Sequence, residues 1–312
     1  MSGRHLVAAA SLLGLSFVAS GAHAYCRTTT CDESADCTTN PIDCCTRDGQ
    51  GCDTNGKVLY WPSSCVSWSV QEDGSLAQGI DAETTEQVVG EAFLAWTSVT
   101  CAGAPVSIDT AYYGRSTCNE HVFDNGGPNA NVWMFRDDEW THTQPGSDGT
   151  VVNAAALAVT TVTFDPETGE MLDADVEFNS ALMEFSVGDQ DITNDLLSVA
   201  THEAGHFLGL DHSNEWDATM APGYFSGSTE QRTLGLDDQA GLCAAYPQGR
   251  DNVLTSSCDP LGGSTIACMA DESGGCSWAS GPRPSTTNWL WPSLLLIPAA
   301  IAARRYSRRG SV

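Results

Sequence analysis

The sequence predicts an α+β domain within an exported, cystine-rich chain. Helical spacing of apolar residues recurs at three places, β-prone alternating runs lie before and between them, and polar, Gly-rich loops join the two kinds of element. The first helix has Val88, Val89, Ala92, Phe93, Ala95 and Trp96 on one stripe, with Asp81 as its cap. The second runs from about Asp195 to Gly209, capped by Asn194. The third begins at Asp237 and carries Leu242, Ala245 and Tyr246. Val66-Ser67-Trp68-Ser69-Val70 alternates as a half-buried strand, and Pro105 to Ile108 and Ala130 to Phe135 read as two more. Ala155 to Phe164 is rich in Val and Thr. After the turn at Asp165-Pro166-Glu167-Thr168-Gly169-Glu170, Ala174 to Phe178 returns as a strand. Residues 118–129 and 137–150 read as loops.

Length and charge bound what this domain does. The 312 residues, 41% of them hydrophobic, suffice for one large packed domain. Acidic residues number 40 against 13 basic ones, for a net charge of −27. Such a surface repels phosphate and excludes nucleic acid as a partner. Residues 1–24 read as a signal peptide: Arg4, an apolar stretch from Leu6 to Ala19, then Ala22-His23-Ala24 as the cleavage site. The apolar stretch is short for a membrane anchor. Export makes disulfides the expected state of the 13 cysteines.

Seven cysteines fall at positions 26, 31, 37, 44, 45, 52 and 65, among Thr, Asp, Asn and Gly. Residues 25–60 form a Cys-rich segment with too few apolar residues for a core, so cross-links must hold it. The spacing lacks the Cys-x-x-Cys pairs of a zinc ribbon. An odd count up to Cys65 requires at least one bridge to the sequence beyond; the pairing itself is not legible.

The chemistry concentrates in Thr201-His202-Glu203-Ala204-Gly205-His206-Phe207-Leu208-Gly209-Leu210-Asp211-His212. His202 and His206, four apart on a helix, share one face and grip one metal ion; Glu203 stands beside them. Gly209 lets the helix stop and the chain swing back to bring His212 as a third ligand. Three imidazoles suit zinc and leave a fourth position for water, the pattern of a catalytic site.

The full motif, His-Glu-x-x-His-x-x-Gly-x-x-His, resembles that of the metzincin metalloproteases, and Ala218-Thr219-Met220-Ala221-Pro222 is similar to their methionine turn. Ser213 after His212, Pro222-Gly223-Tyr224 as a specificity-pocket wall, Asp237 to Leu242 with Tyr246, and Glu91 to Thr100 are similar to the matrixin branch. The resemblance runs from about Trp61 to Pro247. It implies a twisted, mixed five-stranded sheet with three helices and a zinc cleft between an upper and a lower subdomain. It also implies one catalytic Zn2+ held by His202, His206 and His212, with Met220 beneath it, and Pro222 and Tyr224 on the substrate side. Glu203 is then the general base of a zinc endopeptidase acting on protein or peptide substrates. The strand from Ala156 to Phe164 resembles the family's edge strand, where an extended substrate pairs.

This chain departs from the matrixin pattern in three ways. A structural zinc of that family takes a histidine on the strand before the active-site helix, where this sequence has Glu177. Asp165, Glu167, Asp173, Asp175 and Glu177 are oxygen ligands suited to Ca2+, or equally a solvated acidic turn. A Pro-Arg-Cys-Gly latency motif is missing, and no propeller-like domain is expected in residues 248–275, a Cys-containing segment after the catalytic residues 61–247.

The last 37 residues, 276–312, differ in kind. Cys276 follows Gly274-Gly275, and an apolar run from Trp289 to Ala303 precedes Arg304, Arg305, Arg308 and Arg309. As a helix the run rises about 22 Å, short of a roughly 30 Å hydrocarbon core. This tail resembles the sorting tails of myxobacterial surface proteins, which implies cleavage near Cys276 and anchoring at the outer membrane; an ordinary carboxyl-terminal anchor is the other reading. Membrane contact is thus expected only through the tail. Two functions stand at this point: the secreted or surface-anchored endopeptidase, and a surface adhesion module that retains a zinc site without catalysis. Oligomeric state is not legible.

Overall fold

The computed structural model describes residues 25–31, 38, 44–124, 127–142, 144–145, 151–152, 155–250, 257–259, 269–270, 276–277 and 306–311. The signal peptide and the apolar run of the tail lie outside them. Among the described residues, no helix is long and apolar enough to cross a membrane.

Three helices and a mixed sheet build the domain, in the order β1 (Cys26–Arg27), β2 (Cys65–Gln71), α1 (Ala82–Thr97), β3 (Asp109–Ser116), β4 (Val132–Phe135), β5 (Ala158–Phe164), β6 (Met171–Phe178), α2 (Leu196–Phe207), β7 (Leu210–Asp211), α3 (Leu236–Ala245) and β8 (Tyr306–Ser311). The expected five-stranded sheet is present, formed by β5, β6, β4, β2 and β3 in spatial order. β6, β4, β2 and β3 run parallel, and β5 pairs antiparallel with β6. A sixth strand, unforeseen in the tail, is β8, which lies antiparallel along the outer edge of β5 with Gly310 opposite Thr160.

β6 shows how the sheet sorts its residues. Ala174, Val176 and Phe178 face the helices and join the main core, while Asp173, Asp175 and Glu177 alternate onto the other face. That face is buried too, because the loops before β4 and β5 fold over it. On the helix side, Phe93, Trp133 and Phe207 form a ring cluster, with Phe93 5.0 Å from Phe207 and 5.4 Å from Trp133, both edge-on. The cluster locks α1, α2 and the sheet together.

Several element ends differ from the reading, each for a local reason. Asp195, not Asn194, caps α2: its carboxylate accepts from Ser198 N at 2.9 Å, while the Asn194 amide donates to Glu184 O. Arg232 then clamps the Asp195 carboxylate through Nε at 2.7 Å and Nη2 at 2.6 Å. α3 starts one residue early, with Gly235 as cap and Asp238 reaching back to its N–H at 2.7 Å. Pro105 to Ile108 is not a sheet strand, because only Ala104–Pro105 pairs there, with Thr100–Cys101 in a tight hairpin. The strand beside β2 is instead Asp109–Ser116, whose exposed, polar edge hid it from a periodicity argument.

Disulfides staple the periphery. Cys26–Cys52 and Cys31–Cys45 hold the amino-terminal segment. Cys65–Cys258 supplies the bridge that the odd count required, and Cys101–Cys243 ties the exit of α1 to α3.

Gly205 sets the distance between α2 and its neighbours. A Cβ at this position would overlap Met220 Sδ and stand 2.8 Å from Trp96 Cζ2. Gly205→Ala is therefore expected to cost about 2 kcal/mol through overpacking, read as a lowered midpoint in denaturant unfolding. An unchanged midpoint would contradict this packing account.

Candidate metal centre and its surroundings

α2 carries two of the three histidines, and a bend delivers the third. Helical spacing puts His202 and His206 on one face, with ring centroids 4.8 Å apart. After Phe207 the helix ends; Gly209 turns at φ +82°, and a Cβ there would lie 2.8 Å from Leu59 O. β7 then carries the chain back to His212, whose ring lies 5.2 Å from His202 and 4.8 Å from His206.

Backbone carbonyls fix the rings. His202 Nδ1 meets Thr219 O at 2.7 Å, and His206 Nδ1 meets Leu210 O at 2.9 Å. A carbonyl only accepts, so each Nδ1 carries the hydrogen and each Nε2 exposes a lone pair. These two Nε2 atoms stand 3.1 Å apart. Two lone pairs so close repel unless a cation lies between them. Burial, then the neighbouring His206 and His212, pushes His202 well below the usual imidazole range, so it is neutral, as a ligand must be. The donor atoms of all three histidines lie within 4.8 Å of one another, a set that fits one zinc ion.

Glu203 is fully buried beside this set. Thr160 on β5 donates its hydroxyl to Glu203 Oε2 at 2.5 Å, while Oε1 has no hydrogen-bond partner among the described residues. Burial pushes the carboxyl up to about 8 against the pull of Thr160. A cation held by the adjacent imidazoles favours the ionised form. Thr160 was legible only as a β-former; its bond to Glu203 depends on the strand's register, which sequence alone does not give.

Met220 is buried, with its side chain against Gly205 of α2 and its carbonyl accepting from Ser213 N at 2.8 Å. The turn hangs from Asp238 of α3, whose carboxylate takes Thr219 N at 2.7 Å, Met220 N at 3.0 Å and Gly235 N. Asp237 accepts from Ser213 Oγ at 2.6 Å. The paired aspartates thus tie the third histidine's loop and the methionine turn to one helix. Pro222 is exposed. Tyr224 is half-buried, and its hydroxyl accepts from Asp195 N at 2.8 Å and donates to Ser228 O at 2.6 Å, which anchors the start of α2.

A second cluster, unforeseen in the sequence, gathers on the far face of the sheet. Glu177 Oε2 meets His142 Nε2 at 2.6 Å and His121 Nδ1 at 3.2 Å, while Oε1 takes Arg136 Nε. Burial would raise the Glu177 carboxyl, but hydrogen bonds from His121 and His142 and the Arg136 charge hold it below the carboxylate range. The donor atoms of His121, His142 and Glu177 lie within 4.8 Å of one another, and Arg136 pairs with the other Glu177 oxygen. The five acidic residues considered for calcium separate into three environments. Asp165 caps its own turn through Glu167 N and Thr168 N, and Glu177 belongs to the cluster just described. Asp173 and Asp175 are buried side by side, both pushed up by burial, Asp173 to about 8.

The profile of the Matrixin family matches residues 60–247. Metalloendoproteinase 1-MMP of Arabidopsis thaliana is 28% identical over 216 residues, 68% of this chain and 52% of that protein. Matrix metalloproteinase-B of Caenorhabditis elegans is 27% identical over 196 residues, 62% of this chain and 36% of that protein. Human matrix metalloproteinase-16 is 49% identical over a shorter stretch of 53 residues, 17% of this chain and 9% of that protein. The chain thus spans about half the length of the first of these relatives and less of the others. Its fold, its three converging histidines and the extent of the profile match agree: the chain belongs to the matrixin family.

Proposed function

We propose that this protein is an exported zinc endopeptidase, with His202, His206 and His212 as the metal ligands and Glu203 as the general base. The observation that carries the reading is the pairing of two facing Nε2 lone pairs with a buried carboxylate that has one oxygen unengaged. A structural metal site has no use for that carboxylate, which favours catalysis over an adhesion module. Family membership supports the same chemistry.

Zinc at the three imidazoles supplies Lewis acidity, which polarises a peptide carbonyl and acidifies a water molecule. The chain's own residues do the rest. Glu203 accepts the proton of the attacking water and passes it to the departing amine nitrogen. Thr160 holds one carboxylate oxygen so that the other faces the reacting atoms. Met220, packed against Gly205, supports the histidine rings from below. Pro222 and Tyr224 flank the substrate side, with Tyr224 also fixing the start of α2.

An extended peptide substrate would pair with the outer edge of β5 by backbone hydrogen bonds. In the full chain β8 occupies that edge. We read residues 276–312 as a sorting or anchor tail, removed or held away from the cleft in the working enzyme, and the acidic, disulfide-bonded chain as extracellular or surface-held.

Two outcomes are expected. Glu203→Ala should retain zinc at the parent's stoichiometry yet lose at least about a thousandfold in peptide cleavage, measured with a quenched-fluorescence peptide mixture and metal analysis. Cleavage at the parental rate would remove Glu203 from the mechanism. A chain ending at residue 275 should cleave faster than the full chain, chiefly through a lower KM, because its β5 edge is open. Identical kinetics in the two chains would show that β8 is no obstacle to substrate.

A further inference from the structure

The carbonyls at the carboxyl end of α2 and in the following bend are claimed by four separate parts of the chain. Trp61 Nε1 donates to Phe207 O at 2.7 Å, and Tyr246 Oη donates to Leu208 O at 2.9 Å. Gly209 O accepts from Thr28 N at 3.2 Å and Arg27 Nε at 3.3 Å. Leu210 O accepts from His206 Nδ1 at 2.9 Å and from Thr28 Oγ1 at 3.0 Å. Arg27 also donates through Nη2 to Leu59 O at 2.5 Å, and Leu59 N donates to Thr28 O at 2.8 Å. β1 pairs antiparallel with β7, placing Cys26 opposite Asp211 and Arg27 opposite Leu210.

Two of these carbonyls, those of Gly209 and Leu210, lie in the bend that returns His212, and residues 27 and 28 of the Cys-rich segment reach both. The segment has little apolar content, and Cys26–Cys52 fixes the strand that makes the contacts. The Thr28 hydroxyl shares its acceptor with the ring of His206, so it acts on the same carbonyl that sets that ring's tautomer and orientation.

From this geometry we infer that the amino-terminal cystine segment is a built-in part of the metal centre, with Thr28 and Arg27 as positioning residues for His206 and His212. Among the described residues, the segment's first strand meets the bend itself, at the carbonyls of Gly209 and Leu210. This inference rests on the three histidines being metal ligands. Thr28 holds the Leu210 carbonyl toward His206, Arg27 holds the Gly209 carbonyl at the turn, and the Cys26–Cys52 bridge keeps both on β1. Opening the bridge releases the bend and widens the spacing between the second and third ligands.

The test uses the full chain, stripped of metal and titrated with Co2+ as a spectroscopic probe and with Zn2+ against a competing chelator. Thr28→Val keeps the branched shape and removes the donor; Thr28→Ser restores it. Loss of one hydrogen bond acting on the ligand set should weaken zinc binding about fivefold in Thr28→Val and shift the cobalt d–d bands, with Thr28→Ser close to the parent. The double variant Cys26→Ala, Cys52→Ala should weaken binding further while circular dichroism of α1 and α2 stays parental. Unchanged zinc affinity and an unchanged cobalt spectrum in Thr28→Val would overturn the inference, as would an equal loss in Thr28→Ser, which marks a packing effect. A parent chain that binds neither metal overturns the metal-centre reading itself, a result separable from the other two.

Discussion

Everything at this site depends on one constraint: three neutral imidazoles must aim their lone pairs at one point inside a protein. Burial keeps His202 neutral but does not aim its ring. The aim comes from backbone carbonyls that take the Nδ1 hydrogens of His202 and His206. Those carbonyls belong to Thr219, in the methionine turn, and Leu210, in the bend after α2. The orientation of a side chain on a rigid helix is therefore set by two loops, and the loops have to be as well fixed as the helix.

The fold meets that requirement with unlike devices. The methionine turn hangs from the buried Asp238 carboxylate of α3, which takes three backbone N–H groups. The bend after α2 is held by Trp61, Tyr246, Arg27 and Thr28, from sequence positions far apart. The start of α2 is held by the Asp195–Arg232 pair and by Tyr224. Two glycines allow the close approaches: Gly205 against Met220 and Trp96, and Gly209 against Leu59 O. Glu203 sits within this rigid frame, tied to β5 by Thr160. Its position is thus set before any substrate arrives, which is what electrostatic preorganisation requires.

The histidine spacing, the need for glycine after the helix and the three helices were legible because each is a local, periodic signal. His202, Glu203, His206 and His212 sit where the motif's geometry sends them. What was illegible depended on register and on long-range contact. Thr160 reads as one β-former among several, and only the placement of β5 beside α2 makes it a partner of Glu203. Asp109–Ser116 carries no such signal, because an exposed, partly polar strand has no apolar alternation. His121 and His142 lie in loops of Gly, Asn and Asp, so nothing local announces their meeting at Glu177. Asn194 looked like the cap of α2, and the difference of one residue turned on Asp195 having the better-placed carboxylate. The odd cysteine count implies a link from the cystine segment to the chain beyond, but the pairing of its first strand with the bend before His212 depends on long-range contact.

One zinc ion is expected on three imidazoles and an exchangeable oxygen, with no sulfur, in a chain that carries 13 cysteines. Zinc K-edge X-ray absorption on the purified full-length protein tests it most directly. The account predicts a first shell of about four light atoms near 2.0–2.1 Å with the multiple-scattering signature of imidazole. A sulfur shell near 2.3 Å, or zinc without imidazole scattering, would contradict it.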